Sequence, residues 1–140
     1  MRFRMLHCVC FLGMLAAAPV HAGGELGVFD AWIDAASADG VTWDGYATLK
    51  NTGDAPVVIL TVQSDGFRMT SLHESAGART RELHRVVIAP GDTLQLAREG
   101  RHLVLRHPRE PVVKGARVSV RFLLADGQRV ETWFDVTAAD

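Results

Sequence analysis

From Val28 onward, apolar and β-branched residues gather in short runs separated by Gly, Asp, Pro and Asn, one run for roughly every ten residues. Within Val41–Asn51, Tyr46, Thr48 and Lys50 alternate with Ala47 and Leu49, the period of two that a strand with unlike faces requires. Pro56–Gln63 is almost wholly apolar, as a central strand would be. Further runs at Val28–Ile33, Phe67–Glu74, Arg81–Ile88, Thr93–Leu96, His102–His107, Arg117–Leu124 and Arg129–Val136 bring the expectation to about nine strands. Asn51-Thr52-Gly53-Asp54 supplies residues that tolerate a tight reversal, and Asp126-Gly127 between two alternating runs signals a hairpin. No window of helical length shows a 3.6-residue period with caps at both ends. The pattern predicts one all-β domain, a Greek-key β-sandwich of immunoglobulin or cupredoxin-like type. Trp32, Trp43 and Trp133 with Phe29, Phe67, Phe122 and Phe134 are its expected aromatic core.

The N-terminus changes the compartment. Arg2 and Arg4 precede the apolar run Met5–Ala18, and Pro19-Val20-His21-Ala22 places small residues at the −3 and −1 positions. Residues 1–22 therefore read as a cleaved secretory signal, with residues 23–140 as a single exported, periplasmic domain. The apolar run is short for a membrane span and is bounded by Pro19, so no membrane insertion is expected after cleavage. Both cysteines, Cys8 and Cys10, fall within this leader. The exported chain then has no disulfide, no thiolate metal ligand and no cysteine nucleophile, and no cysteine stands at the cleavage point to carry a lipid.

Charge narrows the partners. The formal net charge is −1, and losing Arg2 and Arg4 with the leader makes it −3. A mildly acidic exported chain with scattered arginines has no footprint for nucleic acid or an anionic membrane. Nucleophile-elbow, phosphate-cradling and zinc-protease motifs are absent, so no enzyme is expected. Ser71 shares a strand face with His73, but the sequence places no third group beside them.

Several landmarks in order resemble the periplasmic PCu(A)C-type copper chaperone family. They are Ala31-Trp32, Tyr46-Ala47-Thr48-Leu49-Lys50-Asn51-Thr52-Gly53, Leu72-His73-Glu74, Ile88-Ala89-Pro90-Gly91-Asp92-Thr93, Gly100-Arg101-His102 and the closing run Phe122–Gly127. The resemblance implies a copper site at His73 and His102, a copper ion as cargo, and a membrane-bound or secreted cuproprotein as acceptor. It also implies two methionine ligands, and both are missing. Thr80 stands at the first methionine position when aligned back from the Pro-Gly turn, and His84 when counted forward from His73 without a gap. Val104 stands at the second. Met69, four residues before His73, is the one methionine left outside the leader, and a strand rise of about 3.3 Å per residue puts it some 13 Å away.

Without thioethers the donor set changes. Two neutral imidazoles can hold Cu(I) in a two-coordinate manner, whereas further nitrogens favour Cu(II), or Zn(II) in a tetrahedron. The nitrogens at hand are His73 and His102, then His84 and His107, with Glu74 and Glu82 as nearby carboxylates. Arg106 shares the expected face of His102 and opposes a cation there if it points inward. Two readings follow. One is a monomeric copper carrier with a histidine-based surface site, which passes its ion on by ligand exchange. The other is a sandwich that kept its fold, lost the metal, and serves as an interaction or structural module.

Overall fold

The structure, a computed structural model, describes residues 23–35 and 39–137. The leader expected over residues 1–22 lies outside them. Ten strands follow in order: β1 (Leu26–Ala35), β2 (Thr42–Asn51), β3 (Val57–Gln63), β4 (Phe67–Ala76), β5 (Arg79–Leu83), β6 (Val86–Ile88), β7 (Thr93–Leu96), β8 (Arg101–Pro108), β9 (Arg117–Leu124) and β10 (Arg129–Val136). There is no helix among the described residues. The strands pair in the order β5-β4-β8-β2-β1-β10-β9-β3-β6, with β7 added to β2. Every pair is antiparallel except β1 with β10, which run parallel. The all-β sandwich expected from the pattern is the fold observed.

One expected strand is two. Arg81–Ile88 divides because β5 pairs with β4 whereas β6 pairs with β3. The chain crosses between these partners at His84-Arg85. Nothing local marks the division, since both halves are strand-like and only their long-range partners differ. The crossing also defines a seam. Strands β3 and β4 are consecutive and joined by Ser64-Asp65-Gly66, yet they stand near opposite ends of the pairing order.

Alternation builds the core. In β9, Val118, Val120, Phe122 and Leu124 point inward while Arg117, Ser119 and Arg121 point out. Phe67, Phe122, Phe134, Ile33, Leu49 and Ile59 are almost wholly buried, each contributing about 1.5–3 kcal/mol of transfer free energy. The aromatic expectation needs correction at Phe29 and Trp133, and at Trp32, which is half-buried outside the core. Phe29 and Trp133 are each 51% exposed. Trp133 alternates with the inward Phe134 and so faces out, with the Arg117 guanidinium 5.7 Å from its ring centre.

Phe29 precedes an irregularity that matters for the site. Between Phe29 and Trp32 the β1–β2 register shifts by an extra residue, and Asp30 takes a left-handed backbone conformation (φ 51°). Leu26, Val28, Ala31 and Ile33 all reach the core, across a break in strict alternation. The bulge thereby turns Trp32 and Asp34 onto the outer face, opposite Tyr46 and Asp44 of β2.

Candidate metal centre

The outer face of β4 and β8 brings His73 and His102 together. The two residues are directly opposed in the antiparallel register, with ring centres 6.3 Å apart and planes inclined at 31°. The inward neighbours Leu72 and Leu103, also paired, are buried in the core. Strand alternation and register therefore deliver the histidine pair with no loop involved.

Each ring is held by a local partner. His102 is 7% exposed, and its Nδ1 lies 3.1 Å from the Gly100 carbonyl oxygen. A carbonyl only accepts, so Nδ1 carries a proton, and in the neutral ring the lone pair then sits on Nε2. Gly100 has φ 109°, a conformation that suits glycine, and its carbonyl also accepts from the Ser75 amide at 2.8 Å. His73 Nε2 lies 2.8 Å from Ser71 Oγ. When that nitrogen donates to the hydroxyl, the lone pair of His73 resides on Nδ1. Burial pushes the His73 pKa below the usual imidazole value; the Glu82 carboxylate opposes this, while Arg106 and His102 add to it. The shift favours the neutral ring of His73, the form a metal requires.

The remaining candidates do not join the pair. Glu82 faces His73 in the β4–β5 register and is largely exposed. His84 lies just past the end of β5, exposed, with Nδ1 3.9 Å from Glu82 Oε1. His107 sits near the far end of β8 in a left-handed conformation (φ 55°), donating its amide to the Val41 carbonyl. Thr80 is exposed on β5 opposite Ser75, and Glu74 is engaged by Arg81 and Arg101. Val104 is buried at 6% and lies between Ser71 and Asp44. Met69 is opposite Arg106, four register positions from His73, as the strand rise requires. Among the described residues no group of three or more His, Cys, Asp or Glu is arranged to hold a metal ion.

A second cluster adjoins His102 and was not foreseen from the sequence. Asp34 and Asp44 are directly opposed on β1 and β2, and Asp34 is buried at 2%. Arg98, from the turn between β7 and β8, reaches Asp34 Oδ2 at 2.6 Å. Its guanidinium stands 5.5 Å from the Trp32 ring centre and 5.8 Å from that of Tyr46. Burial raises the pKa of both carboxyls, with Arg98 opposing it at Asp34 and His102 foremost in opposing it at Asp44. Tyr46 donates to Asp44 at 3.4 Å, and burial pushes its phenol up as well. The turn that carries Arg98 also carries Gly100, so the Asp34–Arg98 clamp anchors the segment that orients His102. Arg98 and Asp34 are 64 residues apart, and the only local hint is the pair of aspartates, Asp30 and Asp34, in a strand that is otherwise apolar.

Comparison with known proteins places the chain. Residues 26–136 match the sequence model of the family described as "Putative lipoprotein LpqE-like", and the protein belongs to that family. It is 30% identical to "Putative lipoprotein Lxx21020" of Leifsonia xyli subsp. xyli (strain CTCB07), over 86% of this chain and 74% of that one. Its fold is that of PCuAC domains. The copper-bound PCuAC domain from PmoF2 superposes with a TM-score of 0.70 at 19% identity, covering 83% of this chain and 95% of that domain. The Cu(I) form of DR1885 from Deinococcus radiodurans superposes with a TM-score of 0.61 at 23% identity, covering 79% and 78%.

Proposed function

We propose that this protein is an exported copper carrier that holds one Cu(I) ion between His73 and His102 and releases it by ligand exchange. The observation that carries the reading is the ring separation. A metal about 2.0 Å from one nitrogen of each imidazole lies about 3.1 Å from each ring centre. A near-linear nitrogen–metal–nitrogen bridge thus spans about 6.3 Å between ring centres, and a tetrahedral angle would draw them roughly 1 Å closer. The observed 6.3 Å suits two-coordinate Cu(I), and the absence of a third ligating side chain among the described residues agrees with it. The copper-bound forms of PmoF2 and DR1885 support the choice of ion. The lipoprotein names of the family and of the Leifsonia relative support a secreted or envelope location.

Two imidazoles without thioethers make a weaker, more open site than the family resemblance implies, and ligand exchange needs such openness. His73 is only partly buried, so an incoming ligand approaches from its side while His102 stays fixed. The test is a competitive titration of the protein with Cu(I), Cu(II) and Zn(II) beside a His73→Ala/His102→Ala variant. Stoichiometric Cu(I) binding is expected for the wild type, with Zn(II) far weaker and the double variant at the background of surface histidines. Equal background for both proteins leaves the non-metal module as the surviving reading.

The pH dependence has a definite sign. A folded pKa of His73 below its unfolded value means the unfolded chain binds the proton first. The associated stability is fully present above the unfolded imidazole pKa and is lost as pH falls through that value toward the folded one. Copper binding requires the same neutral ring, so the contribution of His73 to affinity should persist to a pH below 6.5, the usual imidazole value, before it is lost. A Cu(I) affinity series between pH 5 and 8, with pKa values from imidazole NMR shifts, checks this.

A further inference from the structure

At the seam β3 and β4 lie side by side without pairing to each other, so part of each strand's edge has no ladder partner. On one side β4 pairs with β8 along its length from Phe67, but on the other β5 covers only Leu72–Ala76. Likewise β6 covers only Val57–Ile59 of β3. The direction of the free groups follows from one backbone hydrogen bond. The Ser75 amide donates toward β8, to Gly100, so alternation turns the amide and carbonyl of Leu72 toward β5 and those of Thr70 into the seam. Thr70 Oγ1 is also buried there without a hydrogen-bond partner.

Along this edge runs a groove of about 530 Å³ that ends at His73 and Glu82, with a narrower continuation of about 40 Å³ toward His84. Arg68, Arg106 and Arg109 line it, and none of the three has an ion-pair or side-chain hydrogen-bond partner among the described residues. The acidic groups opposed to them are Asp65, which is already 3.4 Å from Arg121, and Glu82. Leu60 and Met69, at the lips, are 44% and 55% exposed. A concentration of unpaired positive charge is notable in a chain of net charge −1.

We propose that the free edge of β4 at Phe67–Ser71 takes an extended acidic segment of a partner protein as an added strand. The main chain of the guest pairs at Thr70, its carboxylates meet Arg68, Arg106 and Arg109, and its apolar side chains rest on Met69 and Leu60. Five residues of edge span about 16 Å, enough for a short recognition segment. The groove ends at His73, so a guest docked there places its next residues beside that imidazole. That the guest belongs to the copper acceptor rests on the function proposed above; the docking itself does not.

The probe is a blocked hexapeptide of alternating glutamate and valine, with a lysine–valine counterpart as control, added to the full-length isotopically labelled protein without metal. The acidic peptide is expected to bind, to slow exchange of the Thr70 amide, and to weaken about tenfold or more at high salt. An Arg68→Glu/Arg109→Glu variant should lose at least about tenfold in peptide affinity while keeping its Cu(I) affinity. Equal binding of the lysine peptide, or unchanged exchange at Thr70, overturns the proposal. So does concentration-dependent protection of Thr70 without peptide binding, because the occupant is then a second copy of this chain. A wild-type protein that binds the peptide but not copper supports the added strand and overturns only the assignment to a copper acceptor.

Discussion

Replacing Asn51 by alanine is expected to destabilise the protein by about 3–4 kcal/mol, a large share of the roughly 5–15 kcal/mol that holds an ordinary domain folded. The side chain is fully buried and uses every hydrogen-bonding site it has. Its Oδ1 accepts from the amides of Glu25 at 3.2 Å and Gly53 at 3.0 Å. Its Nδ2 donates to the carbonyls of Ala55 at 2.7 Å and Ile88 at 3.0 Å. One amide thus ties the start of β1, the turn after β2 and the end of β6, segments far apart in sequence. Alanine leaves four backbone groups without these partners, at least one of them in the interior, and each such loss costs about 1 kcal/mol. Asn51→Asp should be no better, because a second oxygen would then face two carbonyl oxygens. Denaturant unfolding of the variants checks this, with a lower midpoint at an unchanged slope expected. A loss under about 1 kcal/mol would mean that water replaces the amide.

Asn51 also shows why some of this molecule is legible in its sequence and some is not. The sequence places it at the end of a strand and the start of a turn, on the strength of Asn and Gly tolerance for tight reversals, and the structure agrees, with Asn51 last in β2. What the sequence did not show is that its side chain ties distant segments together. Period-two alternation marked most of the strands, because one buried face forces that pattern wherever a strand lies. It failed at Arg81–Ile88, where two short strands with different partners abut, and at Phe29, where a bulge breaks the alternation. The pairing of His73 with His102 was implied only through the family resemblance. The register of β4 against β8 that realises it joins residues 29 apart, and no local signal fixes such a register. His84 entered the candidate set because it falls at a methionine position of the resemblance when counted forward from His73, and His107 by closeness along the chain. The crossing at the seam removes the first, and the length of β8 the second.

Replacing Arg98 by methionine should cost about 3 kcal/mol at neutral pH and also loosen the metal centre. Arg98 neutralises a carboxylate that is almost wholly removed from water, and methionine retains much of the apolar stem over Trp32 and Tyr46 while removing the charge. The loss should shrink in acid. Burial already raises the Asp34 pKa above its unfolded value, so the folded state binds that proton first and stability falls as pH rises from 3.8 through the folded pKa. Removing Arg98 deletes the influence that holds this pKa down, and the decline then extends to higher pH. Unfolding curves from pH 4 to 8 should show the variant nearest to wild type at the acid end, and Asp34→Asn added to Arg98→Met should restore much of the difference at pH 7. Equal losses at pH 4 and 7 would assign the effect to packing over the two rings. The functional consequence passes through the turn. With Arg98 gone, Gly100 is less firmly placed and the hydrogen bond to His102 Nδ1 weakens, so the imidazole samples both tautomers. The nitrogen-15 shifts of His102 in the metal-free protein should move from a fixed Nδ1–H pattern toward the average, with a parallel loss of Cu(I) affinity. Arg98→Lys, which keeps the charge, should preserve more of both. Fixed His102 shifts in Arg98→Met would separate the clamp from the copper site and leave it a purely stabilising device.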